Sequence, residues 1–214
     1  MPRAADRLRE LVDPRHAAVV TMELQKGIVG DEAILPALPI AVREAGMLEV
    51  AGRVCRKARS VNVRVVHGTM RERPDGAGQS INCKIFSIAA RRKAEVGYRP
   101  TEIGRPGVEL VDELDVQPAD IEIPRMHGMT PFTGTELDAV LRNLGIRTII
   151  LLGVSLNLGI IGAALSALDL GYQVIVVRDG VVGLPKEYAD AILANSLAMV
   201  ATIVTADELI EAWS

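Results

Sequence analysis

The chain has 214 residues, 49% of them hydrophobic, with a formal charge of −3 and only 3% aromatic residues. That length suits a single domain spanning 1–214, and that apolar fraction is ample for a filled core. Lys and Arg are scattered rather than clustered and aromatics are scarce, which argues against a nucleic-acid partner, an acidic membrane surface or a base-stacking platform.

Taken in chain order, residues 1–15 form an N-terminal extension. Its opening, "MPRAADRLREL", is charged and lacks the apolar core of a signal peptide, so a soluble, cytoplasmic protein is expected. "HAAVVTMEL" (16–24) reads as the first strand. A loop carrying Gly27, Gly30, Pro36 and Pro39 leads to the helix "AGMLEVAGRVCRKARSV", with Leu48, Ala51, Val54, Cys55 and Ala58 on one face. The other cysteine is Cys83, and two cysteines imply no disulfide framework.

"NVRVVHGT" (62–69) reads as the second strand. Residues 70–118 are rich in turn signals and poor in periodicity, which predicts a long loop region. "ADIEIPR" (119–125) is the third strand. In "TGTELDAVLRNLGI", Thr135 stands three residues before Asp138, close to a capping box for the helix that follows.

"RTIILLGV" is a fourth, fully buried strand and "NLGIIGAALSALDLGY" its helix. The apolar run across that junction is broken by glycines and polar residues, and no stretch reaches the roughly 18 residues of a membrane span. "QVIVVRDGV" is the fifth strand, "PKEYADAILANSLAMV" a helix opened by Pro185, and "ATIVT" and "ADELIEAW" the closing strand and helix. Strands alternating with helices predict a three-layer α/β/α fold with a doubly wound, six-stranded, mostly parallel sheet. Ligands of such folds sit at the carboxyl ends of the strands.

Three strand ends carry reactive groups: Glu23 and Gln25 after the first, Arg125 and His127 after the third, and Ser155 and Asn157 after the fourth. There they run into the free N–H groups of a helix. Together they would set an acid, a cation and an anion-binding turn around one crevice. His67 has no second ligand at metal spacing, and glycines 153, 159 and 162 do not fit a dinucleotide fingerprint, so neither metal nor cofactor is expected.

The succession "MELQ", a basic residue before "TPFTGT", "GVSLN" entering a helix, and "GYQVIVVRDGV" resembles the isochorismatase-like hydrolase superfamily, which includes cysteine amidohydrolases. The resemblance runs from about residue 16 to the C-terminus. It implies a hydrolase acting on a small molecule, a homodimer or higher homo-oligomer, and a cis Val154–Ser155 peptide. It also implies a triad of Asp, Lys and Cys, at whose positions this chain departs three times. The acid falls on Glu23, one methylene longer than the aspartate. The cysteine falls on Gly159.

The lysine falls on Met126 by direct counting, with Arg125 one residue earlier. A one-residue slip in a strand turns a side chain to the opposite face. Either a bulge restores Arg125 or the basic residue lies elsewhere.

Without the thiol, the superfamily's thioester route is closed. The resemblance still implies one branch, the isochorismatases proper, which hydrolyse a vinyl ether: there Glu23, kept protonated by burial, would serve as the acid, with Arg125 as partner of a substrate carboxylate or oxyanion. The turn from Val154 through Ser155 and Asn157 to Gly159 would cradle the anion. Each feature has a plainer reading. Gly159 would serve packing, Glu23 a structural ion pair with Arg125, Gln25 a strand cap, and His127 a satisfied loop site. A catalytically inactive family member that binds a metabolite or acts as a structural subunit is the rival from another class.

Overall fold

The computed structural model describes residues 4–214, so the first three residues of the N-terminal extension lie outside it. Among the described residues six strands form one sheet: β1 (Ala17–Met22), β2 (Arg64–Met70), β3 (Ile121–Arg125), β4 (Thr148–Val154), β5 (Gln173–Val182) and β6 (Thr202–Val204). Their order is β3-β2-β1-β4-β5-β6 and every pairing is parallel. β1 and β4 are buried at every position, which is why they read as unbroken apolar runs. Successive side chains still part to opposite faces: Ala17 and Val19 join one core, Ala18, Val20 and Met22 the other.

The longer helices among the described residues are α1 (Ala4–Leu11), α2 (Ala37–Glu44), α3 (Met47–Ser60), α4 (Lys84–Val96), α5 (Leu137–Asn143), α6 (Ile161–Asp169), α7 (Lys186–Ile192) and α8 (Ala206–Ala212). α3 and α8 pack on one face of the sheet, and α5, α6 and α7 on the other. Trp213 donates its ring N–H to the Val12 carbonyl at 2.8 Å, tying the chain's last turn to the segment after α1.

Several expectations need correction. The loop expected before α3 contains α2, with Pro36 at its N-cap and Pro39 in its first turn. Proline costs nothing there, because those N–H groups have no helical partner. The region 70–118 expected as loop contains the 13-residue α4 and two short 3-10 turns, Pro106–Val108 and Asp112–Leu114. α4 buries none of its side chains, so little apolar periodicity marked it.

The capping box expected at Thr135 and Asp138 does not form. Thr135 Oγ1 accepts from the Leu137 N–H at 3.2 Å, while Asp138 accepts from the Tyr172 hydroxyl and from Arg142. The reciprocal box lies at α8, between Thr205 and Glu208. Pro185 stands at the N-cap of α7 rather than inside it, after a cis Leu184–Pro185 bond.

The strand order reverses direction between β1 and β4, and this switch point opens a crevice at their carboxyl ends. Met22 lies opposite Gly153 there. Gly153 has φ 117, and a Cβ on it would stand 2.2 Å from the Met22 carbonyl oxygen. Only glycine lets the two strand ends close to this distance.

Candidate active site

Glu23 leaves β1 in the left-handed region, at φ 56. A non-glycine residue held there costs of order 1–3 kcal/mol and needs support from its surroundings. The Glu23 N–H donates to the Gly68 carbonyl at 2.9 Å, which fixes the backbone. Its carboxylate accepts from Arg125 Nη2 across the intervening strand β2.

Arg125 is the last residue of β3, in unbroken register opposite Met70, so no bulge is needed to bring it inward. The chain turns just after it, with Gly128 at φ 85, and Met126 is left exposed. The pair is unequal in depth: the Arg125 side chain is 3% exposed and that of Glu23 21%.

In front of Glu23 lies a cavity of about 390 Å³. Ser155, Asn157 and Gly159 line it from the β4 side, and apolar side chains such as Ile28, Leu35, Leu38, Phe86 and Leu158 form most of its wall. Arg125 does not line the cavity; it stands behind Glu23 as a counter-ion. The contact sets a permanently charged guanidinium against the carboxyl group that the sequence reading made the acid.

The Ser155 hydroxyl donates to Asn157 Oδ1 at 2.7 Å, and Asn157 Nδ2 donates to the Leu184 carbonyl at 2.8 Å. Asn157 therefore ties the β4 end to the turn before α7. The first helical turn, Leu156–Ile160, is π-helical.

The other candidates are placed elsewhere. Gln25 is fully buried, and its amide bonds the Met70 N–H, the Met70 carbonyl and the Val108 carbonyl at 2.7–2.9 Å. It braces the end of β2 and does not line the cavity. His127 does not share Arg125's face, because strand alternation stops at Arg125; it is exposed and lines a neighbouring cavity of about 420 Å³. The Val154 side chain belongs to the core. Neither Cys55, buried in α3, nor the exposed Cys83 lines the cavity at Glu23.

Two charged residues on the cavity wall went unread in the sequence, Glu72 and Lys93. Glu72 is buried and accepts from Thr101 Oγ1 at 2.6 Å and from Lys93 Nζ at 2.5 Å, with Arg99 Nη1 at 3.5 Å. Burial pushes its carboxyl up, but the bonds from Lys93 and Thr101 prevail and hold it below the usual range. A signal for α4 did exist: Ile85, Ala89 and Lys93 recur at four-residue spacing, and Gly97 ends the helix at φ 74.

Comparison with known proteins decides the relationship. A family model described as the isochorismatase domain matches residues 17–208. The chain belongs to the isochorismatase family. This isochorismatase-family hydrolase is 27% identical over 176 residues to the ureidoacrylate amidohydrolase RutB of Caulobacter segnis, covering 78% of this chain and 73% of that one. It is 34% identical over 103 residues to the uncharacterized isochorismatase family protein YwoC of Bacillus subtilis, over 48% of this chain and 54% of that relative's length.

The structure of an isochorismatase family protein from Desulfovibrio vulgaris superposes with a TM-score of 0.76 at 26% identity, over 92% of this chain and 97% of that one. One from Burkholderia thailandensis gives 0.75 at 25% identity, over 93% and 96%. The family resemblance also implied a cis Val154–Ser155 peptide, and that bond is cis. Among the described residues no helix is long and apolar enough to cross a membrane.

Proposed function

We propose that this isochorismatase-family hydrolase cleaves a small carboxylated molecule with an apolar body, without a covalent enzyme intermediate. The observation that carries this is the open cavity in front of Glu23: the carboxylate is held by Arg125 from behind and in a strained backbone conformation, yet keeps access to the space where a substrate fits. A purely structural ion pair would be sealed against packed side chains.

As a carboxylate, Glu23 starts as a proton acceptor. It takes a proton from a water as that water's oxygen adds to the electrophilic carbon, and returns it to the departing group when the scissile bond breaks. Arg125, always protonated, aims Glu23 but moves no proton. The apolar wall excludes competing water and strengthens the charges it encloses. The name of the Caulobacter segnis relative favours amide-like bonds among the candidates. Vinyl ether cleavage is the second reading and asks Glu23 to gain a proton first.

The test is Glu23→Gln assayed on a panel of vinyl ethers, amides, ureides and imides, each with and without a carboxylate. Turnover of at least one carboxylated substrate by the wild type, lowered about 10²–10⁴-fold in the variant, is the expected result. Equal turnover in both proteins would remove Glu23 from the chemistry. No turnover by either would favour the inactive, metabolite-binding member.

A further inference from the structure

We infer that Lys93 is the residue that recognises the substrate's carboxylate, a role that rests on reading the cavity at Glu23 as the substrate site. Three charged residues line that cavity: Glu23, Glu72 and Lys93. Glu23 is already neutralised by Arg125 from behind. Glu72 carries one negative charge but holds two cations, Lys93 at 2.5 Å and Arg99 at 3.5 Å. The cluster thus has one positive charge in surplus, and of its two cations only Lys93 lines the cavity.

The geometry lets Lys93 change partners. Thr101 Oγ1 at 2.6 Å and Arg99 keep Glu72 satisfied if Lys93 turns away. Lys93 hangs from α4, a helix with no buried side chain, on a flexible stem that carries a compact charge. Glu72 holds the ammonium, with Gln79 Oε1 as a weaker acceptor at 3.4 Å.

An incoming anion would draw the ammonium into the cavity. A single surplus charge matches a carboxylate better than a phosphate dianion, and the apolar walls at Ile85, Phe86 and Leu38 call for an apolar skeleton behind it. The ligand class is therefore a monocarboxylate on an apolar body. Arg125, expected from the sequence to play this part, is screened from the cavity by Glu23.

Calorimetric titration with benzoate, cinnamate and 2-naphthoate, against the uncharged and unhydrolysable methyl ketones acetophenone, benzalacetone and 2-acetonaphthone, tests this directly. The wild type should bind at least one of the carboxylates, tenfold or more tightly than its ketone counterpart. Lys93→Gln should weaken carboxylate binding tenfold or more and leave ketone binding unchanged, which also reports an intact cavity. Lys93→Arg should restore affinity to within a few-fold, and Arg99→Gln, which removes the surplus charge and ties Lys93 to Glu72, should weaken carboxylate binding severalfold and leave ketone binding unchanged.

Carboxylate binding unaffected by Lys93→Gln, ketones binding as tightly as carboxylates, or no carboxylate binding to the wild type would each overturn the assignment. Because the probes are not turned over, these outcomes are independent of whether Glu23→Gln abolishes hydrolysis. The Glu23→Gln protein itself should keep its preference for carboxylates.

Discussion

Arg125 and Glu23 form an ion pair whose two halves differ in depth, the Arg125 side chain 3% exposed and that of Glu23 21%. The consequence is an asymmetry in what each partner's removal costs. Glu23→Ala leaves a desolvated guanidinium without a counter-ion, a change that costs about 3–5 kcal/mol in buried pairs. Arg125→Met fills similar space with apolar atoms and leaves a carboxylate that still reaches the cavity, for about 1–3 kcal/mol. Urea unfolding of both variants should place Glu23→Ala as the less stable. The reverse order would mean that Arg125 is neutralised by something other than Glu23.

How far the sequence disclosed this site follows from what each residue depends on. Glu23 was legible because a charged residue closing an apolar strand has few explanations, and Ser155 and Asn157 because they follow the most apolar strand in the chain. Arg125 was found, and its ion pair with Glu23 was the plainer of the two readings; that the side chain reaches Glu23 across β2 is set by strand order rather than by spacing. Lys93 was missed because α4 is amphipathic only toward a cavity, which leaves no buried stripe to recognise, and Glu72 because it follows β2 in a turn-rich stretch and pairs only with the distant Glu102 backbone. The six strands were legible for the opposite reason, since double-sided burial imposes a composition that loops do not share.

A second prediction concerns acid. Asp120, just before β3, is almost fully buried, and burial alone would raise its carboxyl. Bonds from His67, from Arg59 at 2.7 Å and from the Gln117 N–H prevail and hold it well below the usual carboxylate range. The sign follows: a depressed folded-state value adds stability that is fully present above the unfolded aspartate value of about 3.9 and is lost as the pH falls below it. Glu72, also held low, adds to the same slope. Unfolding free energy measured in urea should therefore be flat from neutral pH to about 5 and fall steeply below about 4. Asp120→Asn should be less stable at pH 7 yet lose less on acidification. An equally steep fall in the variant would assign the acid sensitivity elsewhere.

Gly159 gives the third prediction, because two effects oppose each other at one atom. It sits in the π-helical turn that opens the helix after β4, where replacing glycine by alanine gains about 1 kcal/mol from backbone propensity. A Cβ there, however, would stand 2.5 Å from Met22 Cε and 3.1 Å from Met22 Sδ. Met22 is 1% exposed and packed in the core beneath the cavity, so its end has little room to retreat. Overpacking of this kind costs about 1–3 kcal/mol, which outweighs the propensity gain.

Gly159→Ala should therefore be destabilising in the wild-type background. Met22→Ala alone should cost about 2–5 kcal/mol for the space it empties. In the double variant the new methyl group enters that space, so the combined loss should fall short of the sum by about 0.5–3 kcal/mol. A double-mutant cycle in urea reads this coupling. Strict additivity would show that Met22 does not occupy the volume a residue-159 side chain needs. A positive coupling would identify Met22 as the residue to shorten before a cysteine is placed at position 159.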